Sequence, residues 1–186
     1  MKRIFVAVNI SDKARRKVSD YIETLRDEFS NFRVGWDKAE KLHLTLKFLG
    51  DIDENQLAKL IEAIEDATRQ IPDFKLRISN TGVFPSKRNA RVLWLGVEDE
   101  AESLQKLNNI LEAECAKRGL AKEKRNFKAH LTVARLREAH KSKKLVERHL
   151  ENDFESDEFE VSEIVIYESR LQKSGSIYQK VSSFRF

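Results

Sequence analysis

"HLTLKFLG" (residues 43–50) and "HLTVARLR" (residues 130–137) carry two of the chain's four histidines, and each opens with the same tripeptide, His-Leu-Thr. On a strand, successive side chains face opposite ways. His43 and Thr45 therefore share one face, while Leu42, Leu44 and Leu46 take the other. His130 and Thr132 repeat the pattern, with Leu131 and Val133 turned inward. One such strand would be an ordinary half-buried strand showing polar residues to water. Two, one in each half of the chain, point to histidines facing each other across a cleft, each with a threonine beside it.

The sequence around these stretches alternates between strand and helix patterns. "RIFVAVN" (3–9), "FRVGW" (32–36), "LHLTLKFLG" (42–50), "FKLRISNTGVF" (74–84), "ARVLWLGVE" (90–98) and "AHLTVARL" (129–136) are short, β-rich runs. Apolar residues at helical spacing predict helices from Ser11 to about Phe29, about Glu54 to Gln70, about Glu100 to Arg118, and near Ser142 to Glu151. Ser11 is a suitable N-cap, and Gly119 a suitable stop. Two long strands, 159–172 and 176–186, close the chain around "KSG", a hairpin-turn candidate. Strand-helix-strand units recur, with one His-Leu-Thr strand in each half. The expectation is an α+β protein with two mostly antiparallel sheets and outer helices, related as an internal repeat. Residues 1–186 would form a single bilobal domain with its groove between the lobes.

Composition narrows the function. No apolar run approaches the roughly 18 to 20 residues that cross a bilayer. The first strand begins almost at Met1 and leaves no room for a secretory leader, so the expected location is cytoplasmic. The single cysteine, Cys115, falls on a helix's apolar stripe and reads as a core thiol. Metal-ligand spacing and Gly-rich nucleotide loops are missing, so neither a metal nor a cofactor is expected. The net charge is +4, but residues 117–137 hold eight Lys or Arg against one Glu, around the second His-Leu-Thr. That local excess suits a polyanionic partner.

Histidine titrates near neutrality, so one imidazole can give a proton while the other takes one. The threonine hydroxyls would hold the non-bridging oxygens of a phosphate between them, a contact that strengthens as charge builds there. Arg135, three beyond Thr132, would complete the cradle or stand as a charge at the sheet edge, and the first reading is favoured. His140 and His149 lie outside any such spacing and read as surface or cap residues. Phe84 with Lys87 and Arg88 would either stack on and grip a nucleotide or form a hairpin turn with solvated charges, and the second reading is favoured.

These residues resemble the two-histidine phosphoesterase superfamily, and within it the 2′-5′ RNA ligase / RNA 2′,3′-cyclic phosphodiesterase branch. The likeness extends from "RIFVAVNI" through Trp36, "FLG" after the first motif, and "VFPSKRNARVLWLGV" between the halves. Ala129 stands where members often have proline, a difference at the start of the strand. The resemblance implies metal-independent opening of a terminal RNA 2′,3′-cyclic phosphate to a 2′-phosphate. Carried onto this chain, His43 would be the proton donor to the departing 3′ oxygen and His130 the base that activates water. Thr45 and Thr132 would bind the phosphate. With an RNA 5′-hydroxyl in place of water, the same groups would join ends through a 2′-5′ bond. The implied partner is RNA with a cyclic phosphate end, with no membrane and no obligatory protein partner.

Overall fold

The two His-Leu-Thr stretches lie in different antiparallel sheets. The computed structural model describes residues 1–172 and 175–186. In chain order the elements are β1 (Lys2–Asn9), α1 (Asp12–Glu28), β2 (Val34–Trp36), β3 (His43–Ile52), α2 (Glu54–Thr68), β4 (Phe74–Phe84) and β5 (Val92–Glu98). Then follow α3 (Ser103–Lys117), β6 (Leu131–Leu136), α4 (Lys143–Leu150), β7 (Phe159–Val161), β8 (Glu163–Gln172) and β9 (Gly175–Arg185). One sheet has the order β3-β1-β8-β9 and the other β2-β6-β5-β4-β7. Setting β6-β5-β4-β7 beside β3-β1-β8-β9 displays the internal repeat, with β2 as an extra strand outside β6.

The helices interlace the two sheets. Ser11 caps α1 by accepting from the Ala14 amide at 3.1 Å. Asp53 and Gln56 form a reciprocal capping box that starts α2. Although α1 follows β1 of the first sheet, its Tyr21 bonds to His149 of α4, and α4 packs on β4 of the second. Conversely, α3 follows β5 of the second sheet but packs against α2 and β3. Val18, Ile22 and Leu25 of α1 are almost fully buried, at about 2 kcal/mol of transfer free energy each.

The predicted strand over 159–172 is two strands. β7 pairs with β4, whereas β8 pairs with β1 in the other sheet. Ser162 separates them. Inward positions Phe159 and Val161 are followed by Ile164 and Ile166, so the two-residue period breaks where the chain changes sheets. Two residues of the "KSG" turn, Lys173 and Ser174, lie outside the described residues; the flanking Gln172 and Gly175 are paired.

His149 is a correction to the sequence reading. It is fully buried rather than at the surface. Its Nε2–H donates to the carbonyls of Gly82 (3.0 Å) and Trp94 (3.2 Å), and its Nδ1 accepts from the Tyr21 hydroxyl at 2.7 Å. The imidazole thus ties α1 and α4 to β4 and β5. Cys115 is buried as expected, and burial pushes its thiol up to about 11.

Each His-Leu-Thr strand carries a β-bulge directly after its threonine. Opposite β1, Ala7 pairs with Thr45 and Val6 with Lys47, leaving Leu46 as the extra residue. Opposite β5, Trp94 pairs with Thr132 and Leu93 with Ala134, leaving Val133 as the extra residue. The additional residue resets the alternation. Lys47 and Ala134 turn into the interior, and Phe48 and Arg135 return to the faces of their threonines. Lys47, only 2% exposed, donates to Glu112 of α3 at 2.7 Å and to the Ala121 carbonyl at 2.8 Å. Asn108 of α3 donates to the Leu46 carbonyl at 2.9 Å, so α3 braces the first bulge from behind.

Two stability predictions follow from these buried polar groups. Lys47→Ala leaves the half-buried Glu112 carboxylate without its ion-pair partner and should cost about 3 kcal/mol by urea denaturation, with Lys47→Met/Glu112→Leu recovering most of it. His149→Phe strands the Tyr21 hydroxyl and two carbonyls and should cost about 2–4 kcal/mol. Burial lowers the His149 pKa below its ordinary 6.5. The unfolded chain therefore takes up a proton at a pH where the folded state still refuses it. Stability is complete above about pH 7 and declines as pH falls through 6.5. His149→Phe should make that acid-side slope shallower, the remainder coming from His43 and His130.

Candidate active site

β3 and β6 lie side by side across the boundary between the sheets, and their polar faces open into one groove of about 140 Å³. All five residues singled out from the sequence, His43, Thr45, His130, Thr132 and Arg135, line it. The alternation reading holds for their neighbours: Leu42, Leu44, Leu46, Leu131 and Val133 are at most 4% exposed.

The two imidazoles are held alike. His43 Nδ1 bonds to the Lys41 carbonyl at 2.6 Å, and His130 Nδ1 to the Lys128 carbonyl at 2.7 Å. A carbonyl only accepts, so Nδ1 carries the proton in each neutral ring and Nε2 presents a lone pair. His43 Nε2 lies 3.1 Å from Thr45 Oγ1. The loop holding the Lys41 carbonyl is itself fastened from α1, where Arg15 donates to the carbonyls of Ala39 and Leu42.

Aromatic rings surround both histidines. Phe5 stacks on His43 with ring centroids 4.9 Å apart, and Tyr178 meets His43 edge-on at 5.3 Å. Phe84 meets His130 edge-on at 5.0 Å. Behind Phe84, the Trp94 indole lies where a Cβ at Gly82 would sit, 2.1 Å from its ring. Only glycine allows that approach. Lys128 Nζ caps the Trp94 and Phe84 rings at 4.5 and 5.4 Å. Phe84 is therefore part of the wall beside His130, whereas Lys87 and Arg88 form the exposed turn that the sequence suggested. His140 is exposed and away from the groove.

Burial shifts both histidines downward. His43 falls to about 4, chiefly by desolvation, with the positive charges of Arg15 and Arg135 adding to it. His130 falls for the same leading reason, reinforced by Arg135 and Lys128. Both rings are neutral at pH 7 while the groove is empty.

Several lining residues escaped the sequence reading: Phe5, Asp37, Lys41, Phe48, Ser169 and Tyr178. Phe48 carried a usable signal, since it stands three beyond Thr45 as Arg135 stands three beyond Thr132. Ser169 and Tyr178 reach the groove from β8 and β9, which no local pattern connects to His-Leu-Thr. Among the described residues, no three His, Cys, Asp or Glu side chains gather as a metal site, and no helix is long and apolar enough to cross a membrane.

The chain matches the family model described as the 2′-5′ RNA ligase superfamily over residues 13–173. It is 36% identical to the RNA 2′,3′-cyclic phosphodiesterase of Methanothermobacter thermautotrophicus over 185 residues, covering 98% of both chains. It is 32% identical to the Thermotoga maritima protein of the same name, covering 99% of this chain and 95% of that one. A solved Thermus thermophilus structure has the same fold, with a TM-score of 0.79 at 23% identity, covering 98% and 97% of the two chains. With two His-x-Thr strands set in mirrored bulges on either side of one groove, the protein belongs to the 2′-5′ RNA ligase superfamily.

Proposed function

We propose that the protein is an RNA 2′,3′-cyclic phosphodiesterase that opens a terminal cyclic phosphate to a 2′-phosphate. The observation that carries this reading is the pair of Nδ1-locked imidazoles, both lining one groove with a threonine on each strand. His130 Nε2 takes a proton from water as its oxygen attacks phosphorus. The P–O3′ bond breaks, and the 3′ oxygen takes a proton from His43. Thr45, Thr132 and Arg135 hold the phosphoryl oxygens, whose charge grows in the transition state. Replacing water by an RNA 5′-hydroxyl gives a 2′-5′ linkage through the same transfers. The residues present need no metal for these steps. RNA bearing a cyclic phosphate end is the proposed partner, a cytoplasmic protein acting without an obligatory protein partner the proposed setting, and the bilobal domain the whole catalytic unit.

The depressed histidines place a condition on this mechanism. His43 must arrive protonated, yet in the empty groove it is neutral at pH 7. A bound phosphate anion supplies an opposite charge beside the ring and raises its proton affinity. Substrate therefore arms the acid.

The direct test is a short RNA ending in a 2′,3′-cyclic phosphate, incubated in EDTA and resolved for 2′- against 3′-phosphate. The wild type should yield 2′-phosphate, and His43→Ala and His130→Ala should each lose at least about 10³-fold in kcat/KM while retaining the wild-type circular dichroism. A 3′-phosphate product, or full activity in either variant, would reject the assignment.

The pH profile tests the electrostatics separately. The productive form of the free protein has one imidazole protonated and one neutral, which is most populated between two pKa values that both lie below 6.5. The kcat/KM profile should be a bell with its maximum below pH 6.5, falling as pH rises. The alkaline limb of kcat should lie at higher pH, because bound phosphate raises both groups. A kcat/KM maximum at pH 8 would contradict the desolvated histidines.

A further inference from the structure

The groove proposed to bind a phosphate contains one carboxylate, Asp37, to which the mechanism assigns no role. Asp37 directly follows β2, where its amide donates to the Val133 carbonyl at 2.9 Å, alongside the bulge that orients Thr132 and Arg135. Gly35, two residues earlier, pairs with Arg135, and a Cβ on Gly35 would sit 4.0 Å from Arg135 Cβ. Gly35 and Arg135 thus share a face, and alternation returns Asp37 to that face. The missing side chain at Gly35 leaves space for Arg135 beside Asp37. The carboxyl is close enough to feel the charges of Arg135 and Lys41, and it acts in turn on the Tyr178 hydroxyl; all of these line the groove. None of them holds it by a hydrogen bond; burial raises its proton affinity above the ordinary carboxylate value, and the charges of Arg135 and Lys41 oppose that rise.

A negative charge in an anion site works against binding, so its effect depends on the anion's charge. The cyclic phosphodiester carries one negative charge and the product phosphomonoester two. Repulsion from a fixed carboxylate scales with the ligand's charge. We propose that Asp37 is a charge-selecting residue, which lets the groove accept a monoanionic phosphodiester and weakens its hold on the dianionic monoester left by the reaction. The inference rests on the phosphodiesterase reading above and adds to it a route for product release. Arg135 and Lys41 provide attraction for either anion. Asp37 provides the difference between them.

The test is a binding measurement. Methyl phosphate, a dianion at pH 8, and dimethyl phosphate, a monoanion, are titrated into the wild type, Asp37→Asn and Asp37→Ser, with the imidazole signals of His43 and His130 followed by NMR. Removing the charge should tighten dimethyl phosphate about threefold and methyl phosphate about tenfold, the second factor being near the square of the first. In turnover, the 2′-phosphate product should become a correspondingly stronger inhibitor. Asn preserves the shape and Ser changes it, so agreement between them assigns the effect to charge. Equal tightening of both anions, no change, or weaker binding of both would overturn the proposal, the last making Asp37 a positioning residue for Arg135. If neither anion moves the histidine signals in the wild type, and the cyclic phosphate assay is also silent, it is the underlying phosphodiesterase reading that fails. If the assay is active and the probes show no charge preference, only the role of Asp37 fails.

Discussion

A carbonyl oxygen only accepts hydrogen bonds, and the chemistry of the groove depends on that constraint at two points. The Lys41 and Lys128 carbonyls hold the Nδ1 protons of His43 and His130, leaving each Nε2 with its lone pair free. Much of the surrounding structure serves to keep those carbonyls in place. Arg15 crosses from α1 to bind the loop containing Lys41, and Lys128 is anchored on the faces of Trp94 and Phe84. The bulges after Thr45 and Thr132 then bring the remaining groove residues onto the faces of their threonines. Because α1 and α3 each cross to the opposite sheet, neither half of the repeat is braced by its own helices alone.

The same packing has an electrostatic consequence. Aromatic walls dehydrate the imidazoles, and the groove cations repel a proton from them, so both rings are neutral when the groove is empty. A polyanion reverses this balance by bringing negative charge to the site. In the proposed mechanism proton transfer is thereby coupled to the presence of phosphate, and protonated histidine is not maintained at a cost in folding stability. The carboxylate of Asp37 opposes the same field. A site with only positive groups would hold the more highly charged product more tightly than the substrate.

Much of this was legible along the chain. The His-Leu-Thr tripeptides, the leucines alternating with them, and the cap at Ser11 are local features, and they appear where the residues imply. Three features were less legible. The 159–172 stretch reads as continuous β-sequence, but its two-residue period slips at Ser162, where the chain passes from one sheet to the other. His149 lies on a short, strongly charged helix, and its burial depends on Tyr21 in a helix more than a hundred positions away. Lys47 follows Thr45 at the spacing that would place it in the groove, and only the bulge turns it inward to Glu112.

By itself, the sequence determined the α+β pattern, the repeat, and the identity of the two histidines, because alternation and helical period are properties of neighbouring residues. It also supported the family resemblance, through motifs that are short and contiguous. Only the tertiary structure decided that the histidines share one groove, that each has its proton on Nδ1, and that Asp37, Phe5 and Tyr178 complete the walls. Those outcomes arise from hydrogen bonds and desolvation between segments distant in the chain. A strand's periodicity states which face a side chain takes, but what stands opposite that face is set by the pairing of β1 with β8, the fastening of β2 to β6, and the crossing of α1 and α3.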